Sequence, residues 1–463
     1  MTRRAIAFSI AAMLGCGTAN ADAPPELFAS LPADVSWLPY ADFVVGGAIG
    51  SGGGVVPAAY MVVITSPDTY WLWTTDGTAA GTHSAGAVED PGQVLTSSTH
   101  GAFFIGHTDA TGWQVFVTDG PESSAHALTH EPDGVSYMVG LLDDVPLIQR
   151  TDDVAGTTTF SKVDRDSGAL TDVATILGPY VMATTNGTTV FAVREPGPHG
   201  EPIEISSFTG ATQPLALPIP PPSTAWEDPH QFGTGTRLAC FENFTQYSPQ
   251  DHRQELYCSD GTADGTRRPV PPPYARGVLL LDVVAFWPVG DRLVFQGRAD
   301  GESNLALWST DGTDAGTVKL DDGSTWLANA PCTDDRAGSM YYIASNGFDS
   351  SLASTDGTPA GTQTIAPLPA NAYCLGRGTA THHGGTTWMQ IGTALYRTDG
   401  TAAGTRAVEG APELSWLPHA YESRTIVAIG RWIVFAAPNA DGTLGLWRID
   451  TDPIFADGLD GAN

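Results

Sequence analysis

One phrase recurs along the chain, and the recurrence constrains the fold more tightly than any bulk property does. Leu72-Trp73-Thr74-Thr75-Asp76-Gly77-Thr78-Ala79-Ala80-Gly81-Thr82 returns as Leu256-Tyr257-Cys258-Ser259-Asp260-Gly261-Thr262-Ala263-Asp264-Gly265-Thr266, and again over 307–317, 352–362 and 395–405. The anchors are Asp76-Gly77, Asp119-Gly120, Asp260-Gly261, Asp311-Gly312, Asp356-Gly357 and Asp399-Gly400, with a weaker copy at Asp450. Neighbouring anchors lie 43 (Asp76 to Asp119) to 51 (Asp260 to Asp311) residues apart. The interval from Asp119 to Asp260 holds about three periods, and degenerate copies over 159–164 and 204–210 fill it, which gives nine units. Self-similarity at a period of 20–50 residues is the mark of a solenoid, propeller or array.

Each unit has the same internal order. A short apolar stretch reaches a turn containing Gly, Asn or Asp. A run of β-branched and aromatic residues follows: Phe103-Phe104-Ile105, Val190-Phe191-Ala192-Val193, Leu293-Val294-Phe295, Met340-Tyr341-Tyr342-Ile343, Trp432-Ile433-Val434-Phe435. Then come a polar loop, the Leu-Trp strand, Asp-Gly-Thr and a last short strand. Such runs bounded by turn residues read as strands, and no window sustains a 3.6-residue apolar period. Four short strands per 40–50 residues, repeated, predict one all-β propeller of nine four-stranded units, folded as eight or nine blades. The last unit ends soon after Leu446-Trp447, so a segment near Glu26–Leu38 is expected to supply its missing strand and close the ring.

The repeated turn has a mechanical meaning. Asp accepts hydrogen bonds from backbone two residues on, and Gly supplies positive φ without a steric penalty. The hydroxyls of Thr78 and Thr82 can satisfy turn amides. The aromatic before each turn (Trp73, Phe116, Tyr257, Trp308, Tyr396, Trp447) is expected between adjacent blades. A residue repeated in every unit is scaffold, because catalysis needs one site. The phrase resembles the repeat of bacterial ELWxxDGT-repeat proteins: Glu255-Leu256-Tyr257-Cys258-Ser259-Asp260-Gly261-Thr262 matches it with Tyr for Trp, and 307–313 lacks only the leading Glu, where Ala306 stands. The resemblance spans about residues 40 to 452. It implies a secreted propeller and says nothing of chemistry.

Residues 1–21 read as an export signal: Arg3-Arg4, an apolar run over 5–14 and a small-x-small site at Ala19-Asn20-Ala21. The propeller then occupies 22–455 and a tail 456–463. The run is too short to span a bilayer, and no later segment is apolar enough to cross one. Leu14-Gly15-Cys16 resembles a lipobox, so lipid anchorage at the outer membrane through Cys16 is the alternative to a free secreted or periplasmic protein. Four cysteines remain, an even number in an exported chain. Cys240 and Cys258 lie on successive strands of unit five. Cys332 and Cys374 are 42 residues apart, about one period. The expected disulfides are Cys240–Cys258 and Cys332–Cys374.

The formal net charge is −30, with lysine only at Lys162 and Lys319. Nucleic-acid binding needs a basic footprint, and this chain has none. The Pro-rich stretches 214–229 and 269–273 read as stiff inter-strand loops. His382-His383 precedes Gly384-Gly385 at a turn position that His100-Gly101, Asn186-Gly187 and Asp291 share in other units, so a turn role is expected. His126 and His130, spaced as on a helix, fall in β-rich sequence and define no site. The doublets Asp143-Asp144, Asp152-Asp153, Asp321-Asp322 and Asp334-Asp335 read as solvated turns, with no spacing that singles out two acids for glycoside hydrolysis. No calcium loop is complete, the nearest being Asn439-Ala440-Asp441-Gly442-Thr443. No catalytic, cofactor or metal residue is therefore assigned, and calcium is the one ion the acidic loops could hold. The expectation is a monomeric, non-catalytic binding propeller for an extracellular glycan, peptide or surface partner. Trp113, Trp226, Trp287, Trp326, Trp388 and Trp416 are candidate contacts. The alternative is an extracellular hydrolase or lyase acting on polysaccharide at the axial funnel; calcium-dependent adhesion is a third reading.

Overall fold

A computed structural model describes residues 23–451 apart from 38–43, 50–54, 89–93, 119–123, 195–203, 219–231, 273–277, 280–285, 322–331, 333–337, 375–379, 415–425 and stretches of one to three residues elsewhere. The export signal, Cys16, Asp119-Gly120, His100, Asp322, Asp334-Asp335, Trp226, Trp326 and Trp416 lie outside the described residues. Within them the chain is all strand and turn, with no helix.

Unit three shows the plan: Tyr137–Leu142, Val145–Asp152, Thr157–Val163 and Leu170–Leu177 pair in chain order as an antiparallel meander. Units two, four, six and eight repeat it. Hydrogen bonding groups the nine units into eight sheets, because Val278–Leu279 pairs with the third strand of unit five and the second strand of unit six and joins them into one eight-stranded sheet. In most units, including one, two, three, four and nine, the first strand is innermost and touches the first strand of the next, and Ile426–Ile429 of unit nine touches Val44–Ile49 of unit one. The strands thus form a closed propeller.

The second strands explain why their sequences are apolar without alternation. A strand with one face solvated alternates, whereas one buried on both faces does not. Here successive residues feed the two neighbouring interfaces: Phe103 packs towards unit three and Phe104 towards unit one, and Val434 towards unit one while Ile433 and Phe435 pack towards unit eight. The core is accordingly nine apolar layers, each between two consecutive units, the ninth between the last and the first. The aromatics preceding the repeated turns sit in or against these layers, Trp308 fully buried and Trp73, Phe116, Tyr396 and Trp447 partly so.

The N terminus closes the ring. Glu26–Ser30 pairs antiparallel with Leu444–Asp450 as the outermost strand of unit nine, in register Glu26↔Arg448 and Ser30↔Gly445. Leu31 continues it, donating its amide to the Leu444 carbonyl at 3.0 Å and burying its side chain between units nine and one. Arg448 ties the seam: its guanidinium pairs with Glu26, donates to the Gly77 carbonyl at 2.7 Å and lies 3.9 Å from the centre of the Trp432 ring. Arg431 lies 4.3 Å from the centre of the same ring.

Both disulfides are present and buried. Cys240 and Cys258 face each other in register across an antiparallel pair, Cα atoms 4.1 Å apart. Cys258 exchanges both of its backbone hydrogen bonds with Arg267 on its other side, so its pairing with Cys240 falls at the closer, non-hydrogen-bonded position of the ladder. Cys332–Cys374 joins units seven and eight within their shared apolar layer.

Candidate functional site

The repeated turns lie at one end of the propeller, the end that also carries the turns between first and second strands; in unit six, Thr310, before the repeated turn, is in register with Leu293, the second residue of its neighbour. In unit one, Asp76 Oδ1 accepts from Thr78 N at 2.8 Å and from Thr78 Oγ1 at 2.7 Å. Gly81 N donates to Thr78 Oγ1 at 3.1 Å, and Thr82 Oγ1 to the Thr78 carbonyl at 2.6 Å. The same bonds recur around Asp260, Asp311, Asp356 and Asp399. Gly77, Gly261, Gly312, Gly357 and Gly400 all have φ between 82° and 92°, where an L side chain is strained. The second glycine is required for a different reason: a Cβ on Gly81, Gly265, Gly316, Gly361 or Gly404 would fall on the carboxylate of its own turn.

Sequence reasoning missed the hydroxyl that precedes each Asp. Thr75 Oγ1 accepts from Gly77 N at 3.0 Å and meets Thr82 Oγ1 at 2.7 Å, and Ser259, Thr310, Thr355 and Thr398 do the same. Its signal was available, since every one of these copies carries Ser or Thr there. The first glycine also docks on the preceding unit. A Cβ on Gly77 would stand 2.7 Å from Trp432 Cδ1, one on Gly261 2.9 Å from Thr189 Cγ2, and one on Gly312 2.9 Å from Leu238 Cδ1. Asp356 and Asp399 are held below the usual carboxylate range, chiefly by the hydroxyls of Thr358 and Thr401. At Asp311 burial pulls upward but is outweighed by the Thr313 hydrogen bonds and the charge of Arg292.

The remaining sequence candidates resolve into turns and core. Asp143 and Asp144, at φ 54° and 62°, are the two loop residues between Leu142 and Val145, a hairpin type that requires positive φ twice. Asp152 accepts from the amides of Val154 and Ala155. Asp441 accepts from Thr443 in the loop after Trp432–Pro438. His382 Nδ1 lies 3.1 Å from Thr387 Oγ1 beside the Gly384-Gly385 turn, and burial, then the neighbouring His382, lowers the His383 pKa. His126 lies on a two-residue edge strand and His130 in the following segment. Trp287 and Trp388 are buried in the layers between units six and seven and units eight and nine. Trp113 is exposed and meets His107 edge-on at 5.3 Å. Among the described residues no three His, Cys, Asp or Glu side chains converge as a metal ligand set.

A concave region of about 520 Å³ opens at the turn-bearing end. Thr185 and Asn186 of unit four, Thr234, Gly235 and Thr236 of unit five, Pro288, Gly290 and Asp291 of unit six, and Gly338 of unit seven line it. The first three groups are the inner-strand turns of three consecutive units, and Gly338 stands just before the strand Met340–Ser345. Units four and five supply four-residue loops, closed by Asn186 N to the Thr189 carbonyl at 3.1 Å and by Gly235 N to the Leu238 carbonyl at 2.8 Å. Unit six supplies a two-residue turn, Gly290-Asp291, with Gly290 at φ 58°. Carbon of the Thr, Gly and Pro residues makes up the larger share of this surface, with hydroxyl, amide and carboxylate groups set into it, and its size lies within the range of small-molecule sites.

The fold and this surface define a closed β-propeller with a depression framed by inner-strand turns. No protein-family model matches the chain, and no curated protein matches it. Among solved structures, it is similar to the β-propeller domain of the Trilobed protease from Pyrococcus furiosus (12% identity, 70% of this chain and 97% of that one, TM-score 0.39). It is also similar to a eukaryotic initiation factor (9%, 78% and 95%, TM-score 0.46) and to an oligogalacturonate lyase in complex with manganese (12%, 88% and 96%, TM-score 0.36).

Proposed function

We propose that the protein is an exported, non-catalytic binding propeller that holds an extracellular ligand in the depression between units four and seven. The observation that carries this reading is the lining itself. Three inner-strand turns bring hydrogen-bonding groups together there, while the one charged side chain among the described lining residues is Asp291, too few for a nucleophile with its base or for a pair of catalytic acids. Export to an oxidising compartment agrees with the two buried disulfides, and the repeat's resemblance to secreted ELWxxDGT-repeat proteins points the same way. No helix of the described residues is long and apolar enough to cross a membrane. A glycan and peptide array on the purified mature protein, run beside a polysaccharide-cleavage screen with calcium and with chelator, tests the proposal. Retention of a ligand without product supports it. Release of shortened chains would overturn it in favour of a hydrolase or lyase, and retention lost in chelator would make calcium part of the site.

A further inference from the structure

We infer that the depression takes an uncharged polyol, a neutral sugar unit bound through its hydroxyls by Asn186 and Asp291; this rests on the binding reading above. The inference follows from which hydrogen-bonding groups the fold has already used. Thr185 Oγ1 donates to the Thr189 carbonyl at 3.0 Å and accepts from Gly187 N at 3.0 Å. Asn186 Oδ1 accepts from Thr188 N and Thr188 Oγ1, both at 3.1 Å, and from Thr189 N at 2.8 Å. Three donors converging on Oδ1 fix the orientation of the amide. What Asn186 offers a ligand is therefore its Nδ2 group, a donor. In unit six, Asp291 Oδ1 accepts from Thr236 Oγ1 at 3.1 Å, which leaves Oδ2 as an acceptor.

A donor from unit four and an anionic acceptor from unit six suit a ligand that accepts at one point and donates at another. A hydroxyl does both, so the hydroxyls of one sugar can meet the amide and the carboxylate. A carboxylated sugar would face Asp291 with no cation among the described lining residues to offset it, on a chain of net charge −30. Arg292 is turned away to Asp311, the Gly316 carbonyl and Ser309. Arg237 follows Thr236 in its loop but does not line the depression. The described lining residues include no aromatic side chain and no aliphatic one other than Pro288.

The test is titration of the mature protein, by calorimetry and ligand-observed NMR, with matched neutral and uronate oligosaccharides. Wild type, Asp291→Ala, Asn186→Ala and Thr236→Val would be compared, with thermal melts to verify folding. The expected result is binding of neutral oligosaccharides, preferred over uronates, weakened roughly tenfold or more by Asp291→Ala, about the loss of one charge-assisted hydrogen bond. Thr236→Val, which leaves both gripping groups in place, should weaken binding less and keeps the site testable if a rim variant misfolds. Neutral-sugar binding unchanged in Asp291→Ala and Asn186→Ala would overturn the site while leaving the binding function standing. Preference for uronates would overturn the ligand class alone. Absence of binding to any glycan or peptide would overturn both readings.

Discussion

The spacing Asp-Gly-Thr-x-x-Gly-Thr makes a quantitative prediction at unit seven. Asp356 Oδ1 accepts two hydrogen bonds, from Thr358 N at 2.8 Å and Thr358 Oγ1 at 2.7 Å. The turn is exposed, so each bond contributes only about 0.5–1 kcal/mol net, and Asp356→Ala should cost about 1–2 kcal/mol. Gly361→Ala sets a methyl group onto that carboxylate. Asp356 must swing out, which breaks the same two bonds and strains the Gly361 amide bond to Thr358 Oγ1, 3.0 Å long; about 2–3 kcal/mol is expected. The double variant has no carboxylate to strike. It should be barely worse than Asp356→Ala, so the two effects should fall short of additivity by nearly the whole cost of Gly361→Ala, about 2–3 kcal/mol. Equilibrium urea unfolding is the assay, because per-residue unfolding entropies put the Tm shift of a chain this long at only about 1 °C per kcal/mol. Additive effects, or a Gly361→Ala variant as stable as wild type, would refute the claim that the second glycine exists to make room for the Asp.

Other outcomes follow from the same geometry. Asp356 and Asp399 have carboxyl pKa values lower in the folded than in the unfolded chain; their stabilisation is complete above the unfolded value of about 3.9 and is lost as pH falls through the folded ones, so Asp356→Asn should flatten the stability–pH curve below pH about 4 in acid titration. Removing residues 22–30 strips the outer strand from unit nine, with its Glu26–Arg448 pair and Leu31 left unsupported; the whole ring should melt earlier in calorimetry, and a truncation that melts like the mature chain would refute closure by this strand. Cys240→Ser/Cys258→Ser and Cys332→Ser/Cys374→Ser open loops of 18 and 42 residues and should cost about 3 and about 4 kcal/mol by loop entropy. Both bonds are buried, so thiol titration should find them resistant to reductant until urea is added.

The sequence determined what is local and repeated. The Asp-Gly-Thr turns, the apolar second strands and the aromatics between blades recur because one supersecondary unit is copied, and each copy must satisfy the same backbone groups and bury the same faces. Charge and cysteine spacing were legible for the same reason: the disulfide Cys240–Cys258 joins residues on successive strands, and Cys332–Cys374 joins residues about one period apart. Other features depend on which unit stands beside which. That Trp287 and Trp388 are core while Trp113 is exposed turns on which face of a strand meets a neighbour, and residue type is silent about that. The docking of Gly77 on Trp432 joins residues from opposite ends of the chain, and only ring closure brings them together. The depression is the furthest from the sequence: Asn186, Thr236 and Asp291 are ordinary turn residues in three units, and their donor and acceptor roles exist only because the fold consumes some of their hydrogen bonds and aims the rest at one space.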